Sequence, residues 1–189
     1  MEAGAIPAAG GGGRRAEGLG SRTVSGLDGW RKTPLAAAMR AVLQRVERAS
    51  VAVENRTVGQ IGAGLLVLLG ISREDEEADL DWLARRIPRL RLFDDEKGVP
   101  NRSAVDIGGG FLVISQFTLH ADTRKGNRPS YRRAADPGPA RALYERFLER
   151  LAEESGRPVE SGEFGAMMDI AASLSGPVTL LLDSRNRDG

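Results

Sequence analysis

From residue 39 onward, apolar positions fall into short runs that change period along the chain. Ala41-Val42-Leu43-Gln44-Arg45-Val46 and Ser50-Val51-Ala52-Val53 are β-branched, bounded by polar residues, and predict two strands. Gly62-Ala63-Gly64 then leads into Leu65-Leu66-Val67-Leu68-Leu69-Gly70, an apolar run of buried-strand length. Between Leu80 and Leu90 the period becomes helical, with Leu80, Leu83, Ala84, Ile87 and Leu90 on one face. Acids between Glu74 and Asp81 crowd its start, where the helix dipole favours them, and Pro88 ends or kinks it. Arg91-Leu92-Phe93 and Phe111 to Phe117 return to strand, with a turn around Glu96-Lys97-Gly98. Asp136 can N-cap a second helix, with Pro137 at its first position and a stripe of Ala140, Leu143, Tyr144, Phe147 and Leu151. Two closing strands are expected near Met168 to Ala172 and Val178 to Leu182, with Gly176-Pro177 between or beside them. About seven strands and two helices predict an α+β class: a compact β-rich domain of largely antiparallel sheets or a partial barrel.

Residues 1–38 break this patterning. They hold nine of the 24 glycines, few large apolar residues and no period of 2 or 3.6. Such a segment cannot bury enough surface to offset its ordering entropy, which predicts a disordered extension ahead of a domain over 39–189. Without an apolar stretch of 7–15 residues it is not a secretory signal. An organelle transit peptide and a translation start at Met39 are the alternatives.

Composition narrows the chemistry. The absence of cysteine excludes disulfides, thiolate nucleophiles and Cys-ligated zinc, and the single histidine, His120, excludes a metal site built on several histidines of one chain. No apolar run reaches the length of a membrane span. The net charge of +1 argues against a generic polyanion binder, so nucleic-acid contact requires a local patch.

Arg124 to Arg133 is such a patch: five positive charges, no acid, and Tyr131 able to stack on a base. A merely solvated basic loop is the equal alternative. The glycines at 62–64 and 108–110 lead into strands rather than helices, so they predict turns and not phosphate cradles. In Ser115-Gln116-Phe117-Thr118-Leu119-His120, strand alternation puts Ser115 and His120 on opposite faces, against a Ser–His dyad. Thr118 shares a face with His120 but has no base placed across from it. A strand end with a surface histidine is the simpler reading, and Gly176-Pro177 taken alone is a turn.

Together these pieces resemble one family. Ser115 to Leu119 followed by Ala121-Asp122-Thr123-Arg124-Lys125-Gly126, and Gly176-Pro177-Val178-Thr179, are similar to the two signature motifs of the D-aminoacyl-tRNA deacylases. Gln44-Arg45-Val46, Ile61 to Val67 and Phe164-Gly165-Ala166 add to the likeness, which covers Met39 to about Asp183. The resemblance implies a cytoplasmic homodimer without metal or cofactor. Its substrates would be D-aminoacyl-tRNA and glycyl-tRNA(Ala), hydrolysed at the ester to the terminal adenosine. Ser115, Gln116, Phe117 and Thr118 would line the catalytic pocket, with the 2′-hydroxyl of the tRNA supplying much of the catalysis. Gly176 and Pro177, cis in the family, would enter the partner's pocket as a chiral filter that rejects L-aminoacyl-tRNA, braced by Arg45. Arg124, Lys125 and Arg128 would contact tRNA phosphates.

There are three departures from the pattern: Leu174 where the family has Asn, the stretch Ala171-Ala172-Ser173, and Met167 in place of an acid. All lie close to Gly176-Pro177. They leave open a non-catalytic tRNA-binding module that has lost strict editing, and a plain oligomeric scaffold.

Overall fold

The computed structural model describes residues 38–187. The disordered extension expected at 1–38 lies, but for Ala38, outside the described residues. Eight strands and two helices follow in order: β1 (Arg40–Val53), β2 (Arg56–Ile61), β3 (Gly64–Gly70), α1 (Glu77–Arg86), β4 (Arg91–Asp94), β5 (Pro100–Ser103), β6 (Gly110–Ser115), α2 (Pro137–Ser155), β7 (Val159–Ser161) and β8 (Asp169–Asp183).

The two strands expected at 41–46 and 50–53 are one. β1 runs through the exposed Glu47 and Arg48 because its pairing with β8 shifts register there, while Val46 and Ala49 stay buried. β8 pairs with β1 from Arg40 to Ala52. A strand has two edges, so β3, paired at Arg40 to Val46, and β2, paired at Ala49 to Val53, share the other.

β1 pairs antiparallel with β2, β3 and β8, so the sheet is largely antiparallel as expected, but β3 and β6 are parallel, as are β6 and β7. Parallel pairs need crossovers. The first holds α1 and the separate β4–β5 ribbon, and the second holds α2. β2 curls round to touch β6 and β7, bringing the sheet nearly to a barrel.

The buried strands read as unbroken apolar runs because both faces are covered. Leu43, Leu65, Val67, Leu69, Phe111 and Val113 face Leu80, Leu83 and Ile87 of α1 and Tyr144, Phe147 and Leu151 of α2. The opposite face packs Val46, Val51, Leu66, Leu112 and Ile114 together. α1 begins at Glu77 behind a Glu76–Asp79 capping box and gives way at Pro88 to a 3₁₀ turn, Ile87–Arg89.

The two closing strands are also one. β8 continues through Gly176-Pro177 by a bulge: Gln44 pairs with Thr179 and Val46 with Leu174, so Ser175 to Val178 stand out opposite Arg45. Proline lacks the N–H a ladder needs, and the bulge removes that need. β2, β5 and β7 escaped the sequence reading because they are short or largely exposed and carry little apolar alternation.

Candidate functional site

β6 stops at Ser115, two residues before the expected end. The Gln116 N–H donates to Leu69 O at 2.7 Å, and the chain then turns into a 3₁₀ segment, Phe117–His120. Strand alternation therefore does not reach His120. Nor is His120 a surface residue: it is 1% exposed beneath the turn. Its ring hydrogen-bonds the Gly70 backbone, and burial holds its pKa below the usual imidazole value, which keeps it neutral. Nε2 is buried without a partner. The turn is tightly seated, because a Cβ on Gly70 would lie 2.9 Å from Leu119 Cβ, 3.0 Å from Gln116 O and 3.1 Å from His120 Nε2.

A cavity of about 400 Å³ opens beside this turn. Ser115, Gln116 and Phe117 form one wall; Tyr131, Phe164 and Gly165 face it. Thr118 is not among the lining residues. Its hydroxyl accepts from Gln116 Nε2 at 2.5 Å, an amide and not a base. Phe117 and Tyr131 meet edge to face, centroids 5.0 Å apart, although both are exposed. Phe164 is fixed from behind by Tyr144 and by Arg141, whose Nη2 donates to Phe164 O at 3.3 Å.

The basic loop reaches the same mouth through Tyr131. Its base is tied to the β3 end: Arg73 donates to Ala134 O and pairs with Asp136 at 3.1 Å. Asp136 does stand at the N-cap of α2, but its carboxylate serves Arg73 instead of the helix. Arg124 is bound to Asp122, whose carboxyl it holds far below the usual range. Lys125 and Arg128 are exposed and, among the described residues, make no ion pair. The loop therefore presents less free charge than its composition promises.

Gly176 and Pro177 lie elsewhere. Their peptide bond is cis, both residues are exposed on the bulge, and neither lines the cavity. Arg45, its side chain 11% exposed, backs them: Nε donates to Ser175 O at 3.2 Å and Nη1 to Leu92 O at 2.7 Å. Gly176 has a φ of +119°, and a Cβ on it would meet Val178 Cγ2 at 2.9 Å and the Val178 backbone N at 3.0 Å, so the position favours glycine. The chain thus keeps Gly176–Pro177 outside the lining of the cavity that Ser115–Phe117 wall.

Sequence reasoning assigned no role to Leu69, Arg73 or Asp136 in this site, because only tertiary contact gathers them; Phe164 and Gly165 entered only as part of a motif. Among the described residues, no group of three or more His, Asp or Glu could hold a metal, and no helix is long and apolar enough to cross a membrane.

The family model for D-Tyr-tRNA(Tyr) deacylase matches residues 42–183. A D-aminoacyl-tRNA deacylase of Parabacteroides distasonis is 50% identical over 150 residues, 79% of this chain and all of that protein. One of Chlorobaculum parvum is 53% identical over 146 residues, 77% of this chain and 98% of its own. A solved c-Myc DNA unwinding element binding protein superposes with a TM-score of 0.71 at 40% identity, covering 76% of this chain and 97% of that one. A probable eukaryotic D-amino acid tRNA deacylase shares the fold, with a TM-score of 0.68 at 19% identity over 77% of this chain and 99% of its own.

Proposed function

The chain belongs to the D-Tyr-tRNA(Tyr) deacylase family, and from that premise we propose that it hydrolyses the ester between a D-amino acid and the terminal adenosine of tRNA. The observation that carries this reading is the cavity walled by Ser115, Gln116 and Phe117 and lined also by the exposed Tyr131, whose loop carries the exposed Lys125 and Arg128. It suits an aminoacyl-adenosine end whose phosphates lead away over a basic loop.

His120 is buried and Thr118 is bonded to an amide, and neither lines the cavity, so neither is placed to act as a general base. The protein then acts by orientation and by polar groups aimed at the ester carbonyl. The attacking activation comes from the substrate's own 2′-hydroxyl, as the family resemblance implies.

Handedness is judged by Gly176-Pro177 supplied by a second subunit. Backbone carbonyls near the substrate's α-carbon exclude an L side chain whatever its size, admit a D side chain, and leave glycine untouched. Glycyl-tRNA(Ala) is therefore a substrate as well. A steric veto of this kind exceeds what fit in a side-chain pocket can supply. Arg45 gives the element its stiffness. Dimerisation is favoured by the apolar residues exposed on and beside β8: Met167, Ile170, Leu174 and Leu181. The work is placed in the cytoplasm, where charged tRNA is used.

A second reading is a nucleic-acid-binding module without turnover. It is favoured by the 40%-identical structural relative, which is named for binding a DNA unwinding element. Release of D-Tyr from D-Tyr-tRNA by the purified full chain separates the two. Turnover well above spontaneous hydrolysis supports the esterase; retention of an intact ester on bound tRNA supports the module.

A further inference from the structure

Two arginines of β1 each reach a backbone carbonyl beside one of the two signature segments. Arg45 holds that of Ser175, beside Gly176-Pro177, and Arg40 holds that of Leu119, within the turn that follows Gln116. Resting on the function proposed above, we propose that Arg40, oriented by Asp183, is a positioning residue for the reaction: through Leu119 it sets the turn that walls the cavity.

The register brings the parts together. Arg40 opens β1 and stands opposite Asp183 at the end of β8 and Gly70 at the end of β3. Its Nε donates to Asp183 Oδ2 at 3.2 Å and its Nη1 to Leu119 O at 2.9 Å. The two side chains are 13% and 14% exposed, so water screens the pair little. A guanidinium can serve both acceptors because its donors diverge in one rigid plane; a lysine ammonium has no such fork.

The turn is thereby fixed in each direction. Gly70 packed beneath it blocks any sinking. The bond from Gln116 N–H to Leu69 O holds one end, and Arg40 holds the other. The charged groups facing His120 are Arg40, Asp183 and Arg133. A neutral imidazole there adds no second cation against Arg40. β8, which carries Gly176-Pro177, ends at the carboxylate that orients Arg40, so β1 and β8 brace both motifs of the protomer.

The test uses the full chain with D-Tyr-tRNA. Arg40→Gln is expected to lower kcat by about tenfold to a hundredfold, with KM unchanged within about twofold, because misplacement on the ångström scale costs chemistry and leaves binding intact. Arg40→Lys rescues only part, and the Arg40→Gln/Asp183→Asn double variant is no worse than Arg40→Gln alone. The chain has one histidine, so its imidazole resonance reports the clasp without ambiguity. Its titration midpoint is expected to rise in Arg40→Gln, where a repelling cation is lost, and to fall in Asp183→Asn.

Arg40→Gln with kcat within about twofold of wild type overturns the proposal. So does a kcat loss matched by loss of folded protein at the assay temperature, or a His120 titration identical in all variants. A wild-type chain that releases no amino acid sinks the function proposed above instead. The His120 titration and the amide shifts of Gln116 to His120 would still decide whether Arg40 sets the turn.

Discussion

Gly70→Ala adds a single methyl group under the turn that walls the cavity. The new carbon would lie 2.9 Å from Leu119 Cβ, 3.0 Å from Gln116 O and 3.1 Å from His120 Nε2. Ordinary carbon–carbon contact begins near 3.5 Å, so the turn must withdraw by roughly 0.6 Å to accept it. None of the three neighbours is the free end of a flexible side chain. Leu119 is held through its carbonyl by Arg40, Gln116 through its N–H by Leu69, and His120 is buried. Overpacking at such a site costs about 2 kcal/mol, which for a domain of this size lowers Tm by about 4–8 °C. The same displacement carries Ser115 to Phe117 away from the substrate, and a shift approaching 1 Å can cost up to about a hundredfold in rate. Thermal unfolding gives the first quantity, and single-turnover release of D-Tyr from D-Tyr-tRNA below the new Tm gives the second. Unchanged Tm and unchanged rate would refute the claim that Gly70 seats the turn.

Other outcomes follow from the same geometry. Asp75, whose carboxyl burial pushes up to about 6, binds a proton more readily folded than unfolded. Its contribution to stability is therefore full below the ordinary carboxylate value of 3.8 and is lost as pH rises through about 6. The Tm of wild type minus that of Asp75→Asn should shrink between pH 4 and 6.5 (values chosen to span about that window); a flat difference would contradict the assignment. In the basic loop, Lys125→Ala and Arg128→Ala should each weaken tRNA binding and reduce the salt slope by about 1, whereas Arg124→Ala should do less because Asp122 already neutralises it. Equal slopes for all three, measured by filter binding across a salt series, would show that the pairing with Asp122 does not persist on RNA. Tyr144→Phe deletes the buried bond from its hydroxyl to Val113 O, 2.8 Å long, and should cost about 1–2 kcal/mol in urea unfolding without changing activity.

The sequence displayed what is local and periodic. The stripe from Ala140 to Leu151 became α2, the helical face ending near Pro88 became α1 and its 3₁₀ turn, and the apolar run from Leu65 became β3. What was hidden is long-range. β1 could not be told from two strands, since Glu47 and Arg48 look like a loop until β8 is seen pairing through them. β8 was split for the same reason: a Gly-Pro in mid-strand signals a turn unless the partner strand shows the bulge opposite Arg45. His120 read as a surface residue because the neighbours around it, Gly70, Arg40 and Asp183 among them, come from distant parts of the chain. The resemblance identified Ser115 to Thr118 and Gly176-Pro177 as segments of interest. It could not reveal that Arg40 and Arg45, on one strand, each hold a carbonyl adjoining one segment, those of Leu119 and Ser175.

The central claim is an esterase that judges handedness. Its most direct test compares the rates at which the full chain releases D-Tyr, L-Tyr and glycine from D-Tyr-tRNA, L-Tyr-tRNA and Gly-tRNA(Ala). The account predicts rapid loss of the D-tyrosyl and glycyl esters while the L-tyrosyl ester decays at its spontaneous rate. Equal release of both tyrosine enantiomers would contradict the filter at Gly176-Pro177, and release of none would contradict the esterase.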